Sequence, residues 1–140
     1  MRLLVPNHDR IAQVSLRLAR LLTPKHVVTS IIRTQEHEDD IRGTSAKPVL
    51  LSLEDSPVID FSTAFEGQDV VYFSAGAGGK GGAERTKQVD YEGAVKVFDA
   101  VEAMKGPKPR LILVSAIDVR DPEKVPAHYV GDGFQTRLHK

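Results

Sequence analysis

Two stretches of the chain carry residue types whose spacing could do chemistry. The first is Asp69-Val-Val-Tyr-Phe-Ser-Ala-Gly-Ala-Gly-Gly-Lys-Gly-Gly82, an apolar run that breaks into Gly76, Gly78, Gly79, Gly81 and Gly82. Without a Cβ in the way, such backbone lets a ligand come close to the amides. A plain surface loop would read the same. The second is Arg33, which follows the β-branched run Val27-Val-Thr-Ser-Ile-Ile32. A guanidinium at a strand end matches the geometry of a phosphate, though a solvated strand terminus would also place an arginine there.

Other candidates are weaker. Ser115 ends a β-rich run, where a hydroxyl bonds readily to backbone. His8, His26, His37, His128 and His139 are scattered singly, so no metal site is expected from them. Glu36-His-Glu-Asp-Asp40 reads as the acidic first turn of a helix rather than a cation site. Nothing positions Asp118 and Asp121 as an acid–base pair.

The elements that must position these groups alternate along the chain. Arg2–Val5 is a short apolar run suited to a buried strand, interrupted by the turn formers Pro6-Asn-His-Asp9. From Arg10 to Leu22, Ile11, Val14, Leu18 and Leu22 recur at helical spacing, and Thr23-Pro24 stops the pattern. Val27–Ile32 then predicts a second strand. A strand, a helix and a strand within roughly thirty residues fit a right-handed crossover in a parallel sheet. A short acidic helix follows, then a third strand over Pro48–Leu53, a short helix over Asp60–Phe65 and a fourth strand over Val70–Phe73. Gln88–Lys105 predicts a longer helix with Val89, Ala94, Val97, Phe98, Val101 and Met104 on its apolar face, closed by Gly106-Pro107. Arg110–Ser115 is the fifth strand. Beyond Ile117 no period is sustained, which predicts one domain over residues 1–120 and an irregular tail over 121–140. The expected fold is α/β: a Rossmann-like parallel sheet of about five strands, order 3-2-1-4-5, with helices on both faces. A flavodoxin-like sheet would show the same alternation.

Composition narrows the function classes. The 140 residues include 19 basic and 19 acidic side chains, so no net charge draws the chain to nucleic acid or to an anionic membrane. There is no cysteine, which removes disulfides, a thiolate nucleophile and zinc–thiolate sites. No apolar run approaches the length of a membrane span, and no signal-peptide pattern opens the chain. The expectation is a soluble cytoplasmic protein.

Four segments together resemble a known family. Val28-Thr-Ser-Ile-Ile-Arg33, Phe73-Ser-Ala-Gly-Ala-Gly-Gly-Lys-Gly-Gly82, Val89-Asp-Tyr-Glu-Gly-Ala94 and Leu113-Val-Ser115 look like the NAD(P)-binding half of atypical short-chain dehydrogenase/reductases. The subgroup is the NmrA-like proteins common in fungi, and the resemblance covers roughly Leu3 to Val119. It implies a cofactor lying across the carboxyl ends of the first four strands. Arg33 would meet the adenosine 2′-phosphate, which implies NADP(H), with NAD(H) as the other option. Ser52 and Leu53, at the end of the third strand, would lie on the adenine side. Ser74, Ala75 and Gly76 would pass the nicotinamide ribose, and Ser115 would face the substrate, an unknown small molecule.

Two departures from the family pattern stand out. Its first loop carries glycines where this chain reads Pro6-Asn7-His8-Asp9-Arg10-Ile11-Ala12. Asn7, His8, Arg10 and Ile11 would face the pyrophosphate there, but Pro6 has no amide to give and Asp9 sets a carboxylate against phosphate. That repulsion costs on the order of one to several kcal/mol. Family enzymes also carry Tyr-x-x-x-Lys beyond the fifth strand, whereas Tyr129 is followed four positions later by Gly133. The resemblance therefore implies a truncated relative with a degenerate loop. It would either be related to oxidoreductases that move hydride to a carbonyl or imine, or be a non-catalytic NAD(P)-sensing or protein-interaction module. The exposed fifth-strand edge would favour a homodimer.

Overall fold

The structure, a computed structural model, describes residues 2–6, 13–77 and 82–114, with backbone alone at 3–6 and 13. Strand β1 spans Arg2–Pro6, and β2, Val27–Ile32, pairs with it in parallel from Arg2 opposite Val27 to Pro6 opposite Ile31. Pro6 thus continues the strand rather than breaking it: its fixed φ suits extended backbone, and a missing donor is tolerated at a strand terminus. Between them lies helix α1, Gln13–Leu22. Ser15 and Ala19, four residues apart, turn into the protein together.

Thr34 leads into a single 3₁₀ turn, Gln35–His37, and helix α2, Glu38–Arg42. Glu38, Asp39 and Asp40 fill the first turn of α2, where carboxylates complement the helix dipole. Strand β3 spans Lys47–Leu50 and pairs with β2. It ends three residues before the expected Leu53. The last ladder contact is the Leu51 amide donating to the Ile32 carbonyl at 2.9 Å, after which the backbone bends into a turn. Helix α3, Val58–Phe65, follows Pro57, and β4, Val70–Phe73, pairs with β1.

The second half of the chain departs more from expectation. Helical backbone begins at Gly82, not Gln88: α4 covers Gly82–Thr86, a wider π-type stretch covers Lys87–Glu92, and α5 runs Gly93–Ala103. The buried face of α5 is set by Gly93, Val97 and Ala100, which recur at helical spacing. Val89, Gly93, Val97 and Ala100 are buried, while Phe98 is 44% exposed. Strand β5, Arg110–Leu113, pairs with β4 and closes the sheet in the order β3-β2-β1-β4-β5. Ser115 and the tail lie outside the described residues.

Strand alternation divides the core into two layers. Val28, Ile32 and Val70 pack with Ala19, Ile41 and Ala46 under α1 and α2. Ile31, Val71 and Phe73 point the other way, against Phe61 and Phe65 of α3 and Val97 and Ala100 of α5. Phe61 and Phe65 meet edge to face at 6.2 Å and 61°, a geometry worth about 0.5–1.5 kcal/mol beyond burial. Ser62 joins the two helices of this layer, donating to the Ala100 carbonyl at 2.9 Å. Among the described residues, no helix is long and apolar enough to cross a membrane, and no three His, Cys, Asp or Glu side chains gather as a metal site.

Candidate functional site at the carboxyl edge of the sheet

The five strands among the described residues are parallel, so their carboxyl ends share one edge. Arg33 leaves β2 at that edge and turns toward the segment after β3. Its guanidinium Nη1 donates to Oε2 of Glu54 at 3.0 Å, and the two side chains are 27% and 23% exposed. The Arg85 Nε from α4 stands 3.9 Å from the other oxygen of Glu54. One carboxylate therefore lies between two guanidinium groups contributed by separate elements.

The turn that carries Glu54 is wired from within and from below. The Ser52 hydroxyl donates to the Asp55 carboxylate at 2.8 Å and accepts from the Asp55 amide at 3.1 Å. The Ser52 amide donates to the Ser56 hydroxyl at 2.9 Å. From α5, the Lys96 ammonium donates to the carbonyls of Leu53 at 2.5 Å, Ser56 at 2.9 Å and Glu54 at 3.3 Å. Three donors on one ammonium meet three carbonyls that a sharp turn leaves without ladder partners. The Leu53 side chain is 3% exposed and packs into the core, where a Cβ on Gly93 would stand 3.4 Å from its Cδ1. Leu53, Glu54, Asp55, Gln88, Glu92 and Lys96 line an open cleft of about 380 Å³ beside this turn.

A second cluster forms where β4 ends. The Ser74 hydroxyl lies 2.7 Å from that of Ser15, which is buried in the first turns of α1. The Ala77 amide donates to Oδ1 of Asp90 at 2.6 Å, which ties the start of the glycine-rich loop to the π-type stretch. A Cβ on Gly76 would reach 3.4 Å from the same oxygen, an ordinary contact.

The sequence-derived candidates therefore fall into three groups. Arg33, Ser74, Ala75 and Gly76 stand on the carboxyl edge of the sheet. Ser52 and Leu53 do not end a strand: they belong to the turn beyond it, with the Ser52 hydroxyl engaged by Asp55 and the Leu53 side chain in the core. Asn7, His8, Arg10, Ile11 and Ser115 lie outside the described residues. Sequence reasoning missed Glu54, Arg85, Lys96 and Asp90. A signal existed for Lys96, which sits three residues after Gly93 and four before Ala100, a cation on a face that is otherwise small or apolar.

Comparison with known proteins agrees with this architecture. A family model described as NAD(P)H-binding matches residues 12–137. A UPF0659 protein of Schizosaccharomyces pombe is 42% identical over 120 residues, covering 84% of this chain and 48% of its own length. An uncharacterized sugar epimerase of Bacillus subtilis is 35% identical over 113 residues, covering 79% and 51%. The chain thus spans about half the length of these curated relatives. Among solved structures, a Bacillus halodurans protein described as a candidate NAD-dependent epimerase/dehydratase superposes with a TM-score of 0.73 at 31% identity, covering 91% of this chain and 57% of that one. The fold is therefore Rossmann-like, and the chain belongs to the NAD(P)H-binding family.

Proposed function

We propose that this chain is an NADP(H)-binding domain of the atypical short-chain reductase type, nearest the NmrA-like subgroup. It would be related to proteins that pass hydride between a nicotinamide and a carbonyl or imine carbon. The observation that carries the reading is the position of Arg33, at the end of β2 with its guanidinium held over the carboxyl edge. That edge is where ligands bind in open α/β sheets.

The groups present fit a dinucleotide. Arg33 offers a planar cation suited to a 2′-phosphate. The Ser52–Ser56 turn would border the adenine. Ser74, Ala75 and Gly76 would flank the nicotinamide ribose, with the Ser74 hydroxyl fixed by Ser15. Asn7, His8, Arg10 and Ile11 would meet the pyrophosphate, and Ser115 the small-molecule substrate. The bound cofactor would supply the hydride, while the protein would supply orientation and exclude water. Two relatives carry epimerase names, which fits a nicotinamide-dependent class.

Titration with NADPH and with NADH, followed by nucleotide fluorescence, tests the reading. Saturable binding with NADPH the tighter ligand is expected. No saturable signal at millimolar cofactor would overturn it.

A second reading, a non-catalytic NAD(P) sensor, is favoured by one observation: Gly133 stands where a Tyr-x-x-x-Lys pair would place the lysine after Tyr129. It predicts cofactor binding without turnover of any carbonyl substrate. In either reading a homodimer through the β5 edge, where Ile112, Leu113 and Val114 are 39–45% exposed, would sediment at twice the monomer mass.

A further inference from the structure

We infer that Glu54 is a cofactor-selectivity residue, whose carboxylate occupies the phosphate-matching face of Arg33 and so limits the preference for NADP(H) over NAD(H). The inference rests on the dinucleotide reading above and deepens it. The Glu54 Oε2 lies 3.0 Å from the Arg33 guanidinium, and its Oε1 faces Arg85 at 3.9 Å. A carboxylate between two guanidiniums presents the kind of oxygens that a 2′-phosphate would bring. The pair is about three-quarters buried, so solvent screens it less than an exposed pair.

The carboxylate is also held in place. Lys96 fixes the carbonyls of Leu53, Glu54 and Ser56, so the backbone under Glu54 cannot swing away as a unit. A 2′-phosphate arriving at Arg33 must therefore displace Glu54 or sit beside it, like charge against like charge. The 2′-hydroxyl of NAD(H) meets no such opposition, because a hydroxyl can donate to a carboxylate. Arg33 attracts the phosphate, and Glu54 counteracts part of that attraction. The two residues are 21 positions apart, and no sequence motif joins them.

Equilibrium binding of NADPH and NADH to the full chain and to Glu54→Gln, Arg33→Met and the double variant tests this. Glu54→Gln keeps the side-chain volume and removes the charge. It is expected to tighten NADPH about tenfold while moving NADH by under about twofold. In the Arg33→Met background the same change should give no gain, because the phosphate no longer has its cation. Glu54→Asp, which keeps the charge on a shorter stem, should fall between wild type and Glu54→Gln. Melting temperatures close to wild type would show that the variants fold. An equal shift for both cofactors, or weaker NADPH binding in Glu54→Gln, would overturn the selectivity role while leaving dinucleotide binding intact. No saturable binding of either cofactor to any of the five proteins would overturn the dinucleotide reading itself.

Discussion

On one face of the sheet, α3 and α5 bring Phe61, Phe65, Val97 and Ala100 against Ile31, Val71 and Phe73; on the other, α1 and α2 bring Ala19 and Ile41 against Val28, Ile32 and Val70. The first layer is aromatic and cross-linked by Ser62, and it also carries Lys96, which holds the Glu54 turn from below. Among the described residues, the second layer has no fully buried aromatic ring and reaches the carboxyl edge through the hydroxyl pair of Ser15 and Ser74. The Arg33–Glu54 side of the candidate site is therefore braced by a deep core. Its Ser74–Ala77 side is held from both layers, by Ser15 of α1 and by Asp90 of the π-type stretch. One end of the carboxyl edge thus rests on the deep layer, while the other depends on single side-chain bonds from both layers.

The sharpest way to break that contrast is Phe61→Ala. The ring is fully buried, and its loss should lower the unfolding free energy by about 3–5 kcal/mol, read from a urea midpoint. Next is Lys96→Met, which keeps the stem packed but leaves three carbonyls without their donor. It should cost about 1–3 kcal/mol, and hydrogen exchange should speed up in the Ser52–Ser56 turn before it does in β4. On the lighter layer, Ser15→Ala removes the bond to Ser74 and should cost about 1 kcal/mol. Faster exchange at the end of β4, with the Glu54 turn unaffected, would confirm that the two halves are braced separately. The smallest effect should come from Arg42→Ala. Its partner Glu38 is one turn earlier on α2 and Arg42 is 62% exposed, so the loss should stay under about 0.5 kcal/mol and shrink further in salt. A larger loss there than in Ser15→Ala would mean that the α1/α2 layer is held by its surface rather than by its contact with the site.

Much of the fold is legible in the sequence because it is written at short range. Val27–Ile32 is β-branched or small throughout and forms a strand wherever both faces are covered. Thr23-Pro24 ends α1 by removing a backbone donor. Arg33 can be placed at a strand end by counting from that run. Legibility falters where two rules compete. The β-branched and leucine-rich run Val49-Leu-Leu-Ser-Leu53 extends the predicted strand, yet the turn wins because Lys96, Ser52 and Ser56 satisfy its backbone groups better than a ladder would. Phe98 looks like core because it is large and apolar, but the buried face of α5 runs through Gly93, Val97 and Ala100 and leaves Phe98 outside it.

The amino-acid order by itself determined the alternation of strands and helices, the likeness to a dinucleotide-binding family and the arginine at the end of β2. Only the tertiary structure decided what that arginine faces. Glu54 comes from the crossover after β3, Arg85 and Lys96 from the crossover after β4, with separations of 21 to 43 residues for the hydrogen-bonded pairs, and they meet because parallel strands bring all their carboxyl ends to one edge. Local propensity records which way a segment bends. It holds no record of which distant charge will stand opposite once the sheet is assembled.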